Sequence, residues 1–282
     1  MSNFRCSCHQ ITWGDNLVEA LDDIEGFGYA GTETFGTVVT QFEGRTSDFK
    51  AMLSARNLQL SALYGGGGLH DPEMQGEVIE KNLRIVHFLH EMESDRLVIG
   101  PGKRTGTPTT QDLQRLAFGT TEVASAAHDL GIVTGLHPHW NTVVQDRAEI
   151  EQFFDLVDTD LVKLALDPAH IAKAGDDPVK IASTYSEILA YMHIKDYVPE
   201  LDIPSQVIPT SQDHAPRIAF FGELGTGVVD LPALLDVART SNYNGWLTVE
   251  LDQSQTTPRQ SLEINSRYLT EQLGFDLGGD NR

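Results

Sequence analysis

Eight short apolar or alternating runs, each followed by turn residues and then by a stretch of helical periodicity, constrain this chain more than any other feature. They are FRCSCHQIT from residue 4, AGTETF from 30, LQLSALY from 58, DRLVIG from 95, GIVTGLH from 131, LVKLALD from 161, ILAYMHI from 188 and GWLTVEL from 245. Between them lie amphipathic stretches such as MQGEVIEKNLRIVHFLHEM and DLPALLDVARTSNYNG, several ending in a glycine suited to a helix C-cap. Strand and helix alternating eight times predict one α/β domain, a single closed (β/α)₈ TIM barrel over residues 1–275 with a flexible tail at 276–282. The competing open doubly wound sheet fits less well. GGGG at 65–68 is followed by LHDP, not directly by a helix, and no acidic ribose-binding residue stands in the usual relation to a nucleotide-binding glycine motif.

One connection departs from the short loops of a barrel. The segment from Asp196 to Thr226 carries Pro199, Pro204, Pro209 and Pro216 and follows the seventh strand, on the face where barrel enzymes hold their sites. A lid over substrate is expected there, with a solvated excursion or an oligomer contact as the alternatives.

Charge narrows the partners. With 41 acidic and 20 basic residues the formal charge is −21, so the molecular field repels nucleic acid and anionic membrane surfaces. The same excess is compatible with a salt-adapted surface or with a simply acidic protein. No uncharged apolar run approaches the ~20 residues that span a bilayer, and MSNFRCSCHQ lacks the layout of a secretion signal, which points to the cytoplasm. Cys6 and Cys8, the only cysteines, sit two apart in one strand and make no plausible disulfide. A small-molecule substrate, with a homo-oligomer as an option, is the remaining expectation for partners.

In a (β/α)₈ barrel the chemistry sits at the C-terminal ends of the strands. The fifth strand is expected to end in His137, the sixth in Asp167, the seventh in His193 and the eighth in Glu250. Ionisable groups there are costly unless paired or bound to a cation, and two imidazoles with two carboxylates suit a borderline divalent ion. One such ion is expected, Mn²⁺ first, with Co²⁺, Fe²⁺, Zn²⁺ or Mg²⁺ as alternatives. Each residue taken alone is equally a hydrogen-bonded core or capping group; the joint placement carries the metal reading.

LHPHWNTVVQD, LALDPAH, MHIKD, FGELGTGVVDLPALL and YNGWLTVEL together resemble the xylose-isomerase-like barrel superfamily of sugar isomerases and epimerases. SALYGGGGLHDP and ITWGDNL bring the resemblance nearest to the inosose (2-keto-myo-inositol) dehydratases, and it runs from about residue 6 to 273. The resemblance implies metal ligation by Asp167, His193 and Glu250, with His137 where most members carry a glutamate. It makes His170, in the D-x-x-H motif, and Lys195, in HIKD, candidates for catalysis beside Glu250 and His139. Two-base ketose epimerisation uses two metal-bound carboxylates, so a histidine at 137 favours elimination through an enediolate, with one base and one acid.

A lyase that dehydrates a cyclic ketopolyol is therefore expected. A ketose or keto-sugar isomerase or epimerase is the first alternative, and a 3-keto-glycoside eliminating lyase of the C-glycoside deglycosidase kind is its variant. A DNA-repair endonuclease of the endonuclease IV type conflicts with the charge, and a non-catalytic sugar-sensing barrel would keep the ligands without turnover. For substrate, Glu33 and His70 are candidates to bind hydroxyls, Trp13 to wall a ring, and Glu223 to help close the pocket. Each has a plainer role available: a cap or ion pair for Glu33, a loop position for His70, the core for Trp13 and an exposed loop for Glu223. His87, His90 and His128 fall in outer helices and carry no functional expectation. No G-x-S-x-G supports a serine nucleophile, and the two strand cysteines make a weak thiol case.

Overall fold

The computed structural model describes residues 4–202, 207–208, 217–218, 221–241 and 243–278. Each of the eight runs forms one barrel strand: β1 Arg5–His9, β2 Gly31–Phe35, β3 Gln59–Gly66, β4 Arg96–Gly100, β5 Val133–Leu136, β6 Val162–Leu166, β7 Leu189–Ile194 and β8 Trp246–Val249. All pair in parallel with their sequence neighbours, and β1 closes on β8 through Arg5 opposite Trp246 to Cys8 opposite Val249. The fold is a single closed (β/α)₈ barrel, as the alternation predicts.

Ten helices are described around it: α1 Leu17–Gly26, α2 Val38–Gln41, α3 Thr46–Ser54, α4 Gln75–Glu91, α5 Thr110–Asp129, α6 Arg147–Phe154, α7 Pro168–Lys173, α8 Pro178–Thr184, α9 Leu231–Thr240 and α10 Pro258–Glu271. Their starts are written in the sequence. Thr109 with Asp112 and Asp146 with Glu149 form reciprocal capping boxes for α5 and α6, while Asp177, Asp230 and Thr257 cap α8, α9 and α10 ahead of a proline in the first turn. None of the described helices is long and apolar enough to cross a membrane.

Side-chain alternation along the strands sorts residues between two environments. On β7, Met192 and Ile194 join the large core beneath the helices, whereas Tyr191 belongs to a small inner cluster with Ala62, Val98, Ala165 and Trp246. Leu247, Val249 and Leu251 likewise face the outer core, which leaves Trp246, Thr248, Glu250 and Asp252 on the inner parity. Cys6 and Cys8 share the outer face, buried, and burial pushes the Cys6 thiol up to about 12, far from a reactive thiolate.

The connection after β7 begins as a ribbon, Asp196–Tyr197 antiparallel to Phe221–Gly222, and a second ribbon pairs Val207–Ile208 with Arg217–Ile218. Asp196 is the knot at its base, accepting backbone N–H groups from Gly225, Gly227 and Val229 at 2.9–3.1 Å. Of the Asp196–Thr226 connection on which a lid is expected, residues 203–206, 209–216 and 219–220, with Pro204, Pro209 and Pro216, lie outside the described residues, as do tail residues 279–282.

Candidate active site

The ends of β5 to β8 build one buried cluster. Asp167 is the first element of it because its position does two jobs. It is the N-cap of α7: Oδ1 accepts the N–H groups of Ala169 at 2.9 Å and His170 at 3.2 Å, with Pro168 fixing the first helical turn. That leaves Oδ2 buried without a hydrogen bond, and it sets His170 one turn along the same helix, which is the physical content of the D-x-x-H spacing.

Around Asp167 the donor atoms of His137 and His170 lie within 4.8 Å of its carboxylate and of one another, and so, separately, do those of His193 and Glu250. All four residues expected as ligands thus meet at Asp167, and His170 joins them. His193 shows how they are aimed. Its Nε2 lies 2.8 Å from Glu33 Oε2, so that nitrogen donates and the other, Nδ1, turns to Glu250 Oε2 at 3.0 Å and Asp167 Oδ2 at 3.4 Å without hydrogen-bond geometry. His137 Nδ1 is also buried and unpartnered. A carboxylate behind an imidazole whose far nitrogen meets two more carboxylates is the arrangement that orients a metal-ligating histidine. The orphaned atoms and the mixed imidazole and carboxylate donors fit a divalent ion.

Lys195 follows β7 on the inner parity and is wholly buried. Its three N–H groups go to Asp252 Oδ1 at 2.6 Å, Glu250 Oε1 at 2.8 Å and His170 Nε2 at 3.2 Å, and its ammonium sits 4.2 Å from the centre of the Phe221 ring. His170 therefore carries its own proton on Nδ1, which has no partner. His139 stacks on His170 with ring centres 3.5 Å apart and donates Nδ1–H to the Trp140 carbonyl at 2.7 Å.

Charge follows from these contacts. Burial opposes ionisation of Asp167 and Glu250, but Lys195 and His193 outweigh it and hold both carboxyls below the usual range. Burial likewise opposes a charged His193 and a charged Lys195, yet Glu250 and Glu33 push the imidazole well up, and Asp252 and Glu250 push the ammonium up. His137 and His170 are driven well down by burial, with His193 and His139 the next largest causes, and are neutral. Burial raises Asp252 against the pull of Lys195. Asp167 and Glu250 are thus held ionised between two cationic groups, the Lys195 ammonium and the His193 imidazole.

The remaining expectations fare differently. Glu33 is completely buried: its Oε2 is taken by His193 and by the Tyr191 hydroxyl at 3.1 Å, while its Oε1 has no hydrogen-bond partner. Trp13 is buried in the hydrophobic core and gives its indole N–H to Asp23 at 2.9 Å, the plainer of the two roles open to it. Glu223 turns to α10, where Ser261 donates to Oε1 at 2.6 Å. His70 is a loop residue packed against Gly102, with its carbonyl accepting from Arg115 at 2.7 Å. His87, His90 and His128 lie exposed on α4 and α5.

Sequence reasoning passed over three members. Asp252 was within reach, since it is the next inner-parity position after Glu250. His9, at the end of β1, is buried with its ring 6.3 Å from His193, and Tyr64 has its ring 5.4 Å from His137; neither has a local sequence signal.

Comparison with known proteins brings relatives of the same architecture. The profile of the xylose isomerase-like TIM barrel family matches residues 21–272. An inosose dehydratase of Bacillus thuringiensis (strain Al Hakam) is 26% identical over 248 residues, covering 83% of this chain and 82% of the relative. Among solved structures, the IOLI protein with a bound zinc atom superposes with a TM-score of 0.77 at 16% identity, covering 95% of this chain and 97% of that one. The 3-keto-D-glucoside 4-epimerase of E. coli does so with a TM-score of 0.70 at 18% identity, covering 93% and 98%.

Proposed function

Because the chain belongs to the xylose isomerase-like TIM barrel family, we propose that it is a divalent-metal-dependent lyase that dehydrates a cyclic ketopolyol of the 2-keto-myo-inositol type. The observation that carries the reading is the pair Glu250 and Lys195. A carboxylate held ionised and an ammonium held protonated stand 2.8 Å apart beside the metal donors, which is one base and one acid at one place. Elimination needs that asymmetry, whereas proton exchange on two faces of a ketose needs two matched bases.

His137, Asp167, His193 and Glu250 would hold the ion. When bound, it polarises the ketone and stabilises the negative charge that develops on its oxygen. Glu250 takes the proton from the carbon beside the ketone. The C–O bond one carbon further on breaks as Lys195 gives its proton to the departing oxygen, so that water leaves and an unsaturated ketone remains. Lys195 holds its proton tightly between two carboxylates and releases it only to a strong base, which a departing alkoxide is. Of its three bonds the one to His170 is the longest, and a substrate hydroxyl takes that place. His139 and His170, stacked at the same edge, bind the neighbouring hydroxyls, and Glu33 keeps Nδ1 of His193 aimed at the ion.

The test is incubation of Mn²⁺-loaded protein with 2-keto-myo-inositol in D₂O, following formation of the dione, the tautomer of the unsaturated ketone left by elimination, and uptake of deuterium. Elimination is expected. Deuterium exchange without elimination would replace the reading by epimerisation, and neither event would remove this substrate.

A further inference from the structure

The barrel mouth holds a second space that the proposed reaction leaves unused. A cavity of about 580 Å³ lies over the ends of β1, β2 and β3, on the arc away from Lys195 and the metal donors. Ile11, Phe35 and Tyr64 give it apolar surface, Thr37, Asp15 and Lys81 give it polar points, and much of the remaining wall is bare backbone at Gly36 and Gly65, Gly66 and Gly67.

Two of these residues are a wall shared with the cluster. The Phe35 ring meets the His9 ring at 4.8 Å, Tyr64 meets His137 at 5.4 Å, and Phe35 and Tyr64 meet each other edge to face at 5.8 Å. A substrate ring over the metal donors is thus one aromatic ring away from the cavity.

The glycine wall is fixed in place. Gly66 has φ of 89°, and a Cβ there would collide with the Gly100 backbone. Buried Asn82 on α4 accepts the Gly66 N–H at 2.7 Å and donates to its carbonyl at 3.2 Å. The space is therefore preformed, as ligand sites usually are.

Size and charge define the occupant. Pockets of roughly 300–1,000 Å³ take ligands of drug size, well beyond a lone polyol ring. The cavity offers one cation and one anion, not the cluster of cations that a phosphorylated sugar requires. Aromatic edges and flat backbone suit a ring with an apolar face.

We propose that this cavity is a subsite for a second, uncharged ring, aryl or glycosyl, carried by the ketopolyol. The substrate class is then a ring-bearing ketopolyol, and the second ring stays attached while the oxygen beside Lys195 leaves. The inference rests on the reading above for where the reacting ring lies.

The experiment measures binding, so that it is independent of turnover. Calorimetric titration of the metal-loaded protein compares myo-inositol, a galactosyl-myo-inositol and a phenyl ether of myo-inositol, none of which has a ketone to react. At least one substituted ring is expected to bind tenfold or more tightly than myo-inositol. Thr37→Trp, at an exposed lining position, is expected to erase that gain and leave myo-inositol binding unchanged, and Ile11→Trp serves if the first variant does not fold. Equal affinity for all three compounds, or a gain that survives the bulky replacement, overturns the subsite. Failure of 2-keto-myo-inositol to eliminate would overturn the reaction and leave this ratio standing as its own result.

Discussion

The mouth of the barrel divides into two arcs built on opposite principles. From β5 to β8 the strand ends carry buried His137, Asp167, His193, Lys195 and Glu250 with half-buried Asp252 beside them, ionisable groups in which the charges of one offset those of another. From β1 to β3 the ends expose glycine backbone, Phe35 and Tyr64 around an open cavity with almost no charge. One arc supplies reactivity and tolerates no loose end; the other supplies room. The same strand geometry makes both, and the difference lies in which residue types fall at the strand ends.

The heaviest blow to the charged arc is Asp167→Asn. Asparagine retains an oxygen that caps α7, so the thermal midpoint is expected to hold, while the second oxygen no longer carries charge for the ion. Bound Mn²⁺ measured by atomic emission is expected to fall below one-tenth per chain. Turnover is expected to drop by about 10³, corresponding to ~4 kcal/mol of lost transition-state stabilisation. Normal metal content in this variant would move the ion elsewhere and dissolve the contrast between the arcs.

Lys195→Met comes next. Losing a general acid costs about 10²–10⁴ in turnover, with the ion retained. Glu250 and Asp252 would then face each other across a buried gap, a loss of roughly 3–5 kcal/mol that a denaturation curve reads directly. Combining it with Asp252→Asn is expected to restore part of the stability and none of the turnover. Full activity in Lys195→Met would exclude Lys195 from the chemistry.

A smaller effect is expected from Glu33→Gln, which keeps the shape but weakens the hold on His193 Nε2. Metal affinity in a competition titration should fall by about 10–100-fold, the usual cost of losing a partner behind a metal-binding imidazole. An unchanged affinity would make Glu33 a structural partner of Tyr191 only.

The two arcs were unequally legible. The barrel followed from eight repeats of a local pattern, and the four strand-end ligand types followed from the rule that sites sit at strand ends, because both depend on short stretches of chain. Parity alone predicts that Tyr191, His193 and Lys195 share a face, and the same count extends from Glu250 to Asp252. The role of Glu33 was not readable, since its partner His193 is 160 positions away and only barrel closure brings them together. The partners of Trp13 and Glu223 were unreadable for a related reason: Asp23 on α1 and Ser261 on α10 meet them through helix packing that no strand-end rule contains. The glycine arc was read as the absence of a nucleotide motif, because empty space is a property of the walls around it and has no residue of its own.

Lys81→Ala probes the uncharged arc at its most visible charge and is expected to change least. Lys81 is exposed on α4 and lines the cavity, with no hydrogen bond or ion pair to any described residue. Stability should stay within about 0.5 kcal/mol, as for most surface substitutions. Metal content should be unchanged, because no metal donor approaches it. A fall in metal content would mean that the cation reaches the β5–β8 cluster through the field of the mouth, and that the arcs are one electrostatic unit. Unaltered metal with weaker binding of the galactosyl-myo-inositol alone would give Lys81 a hydroxyl to hold, and would place the polar end of the second ring at α4.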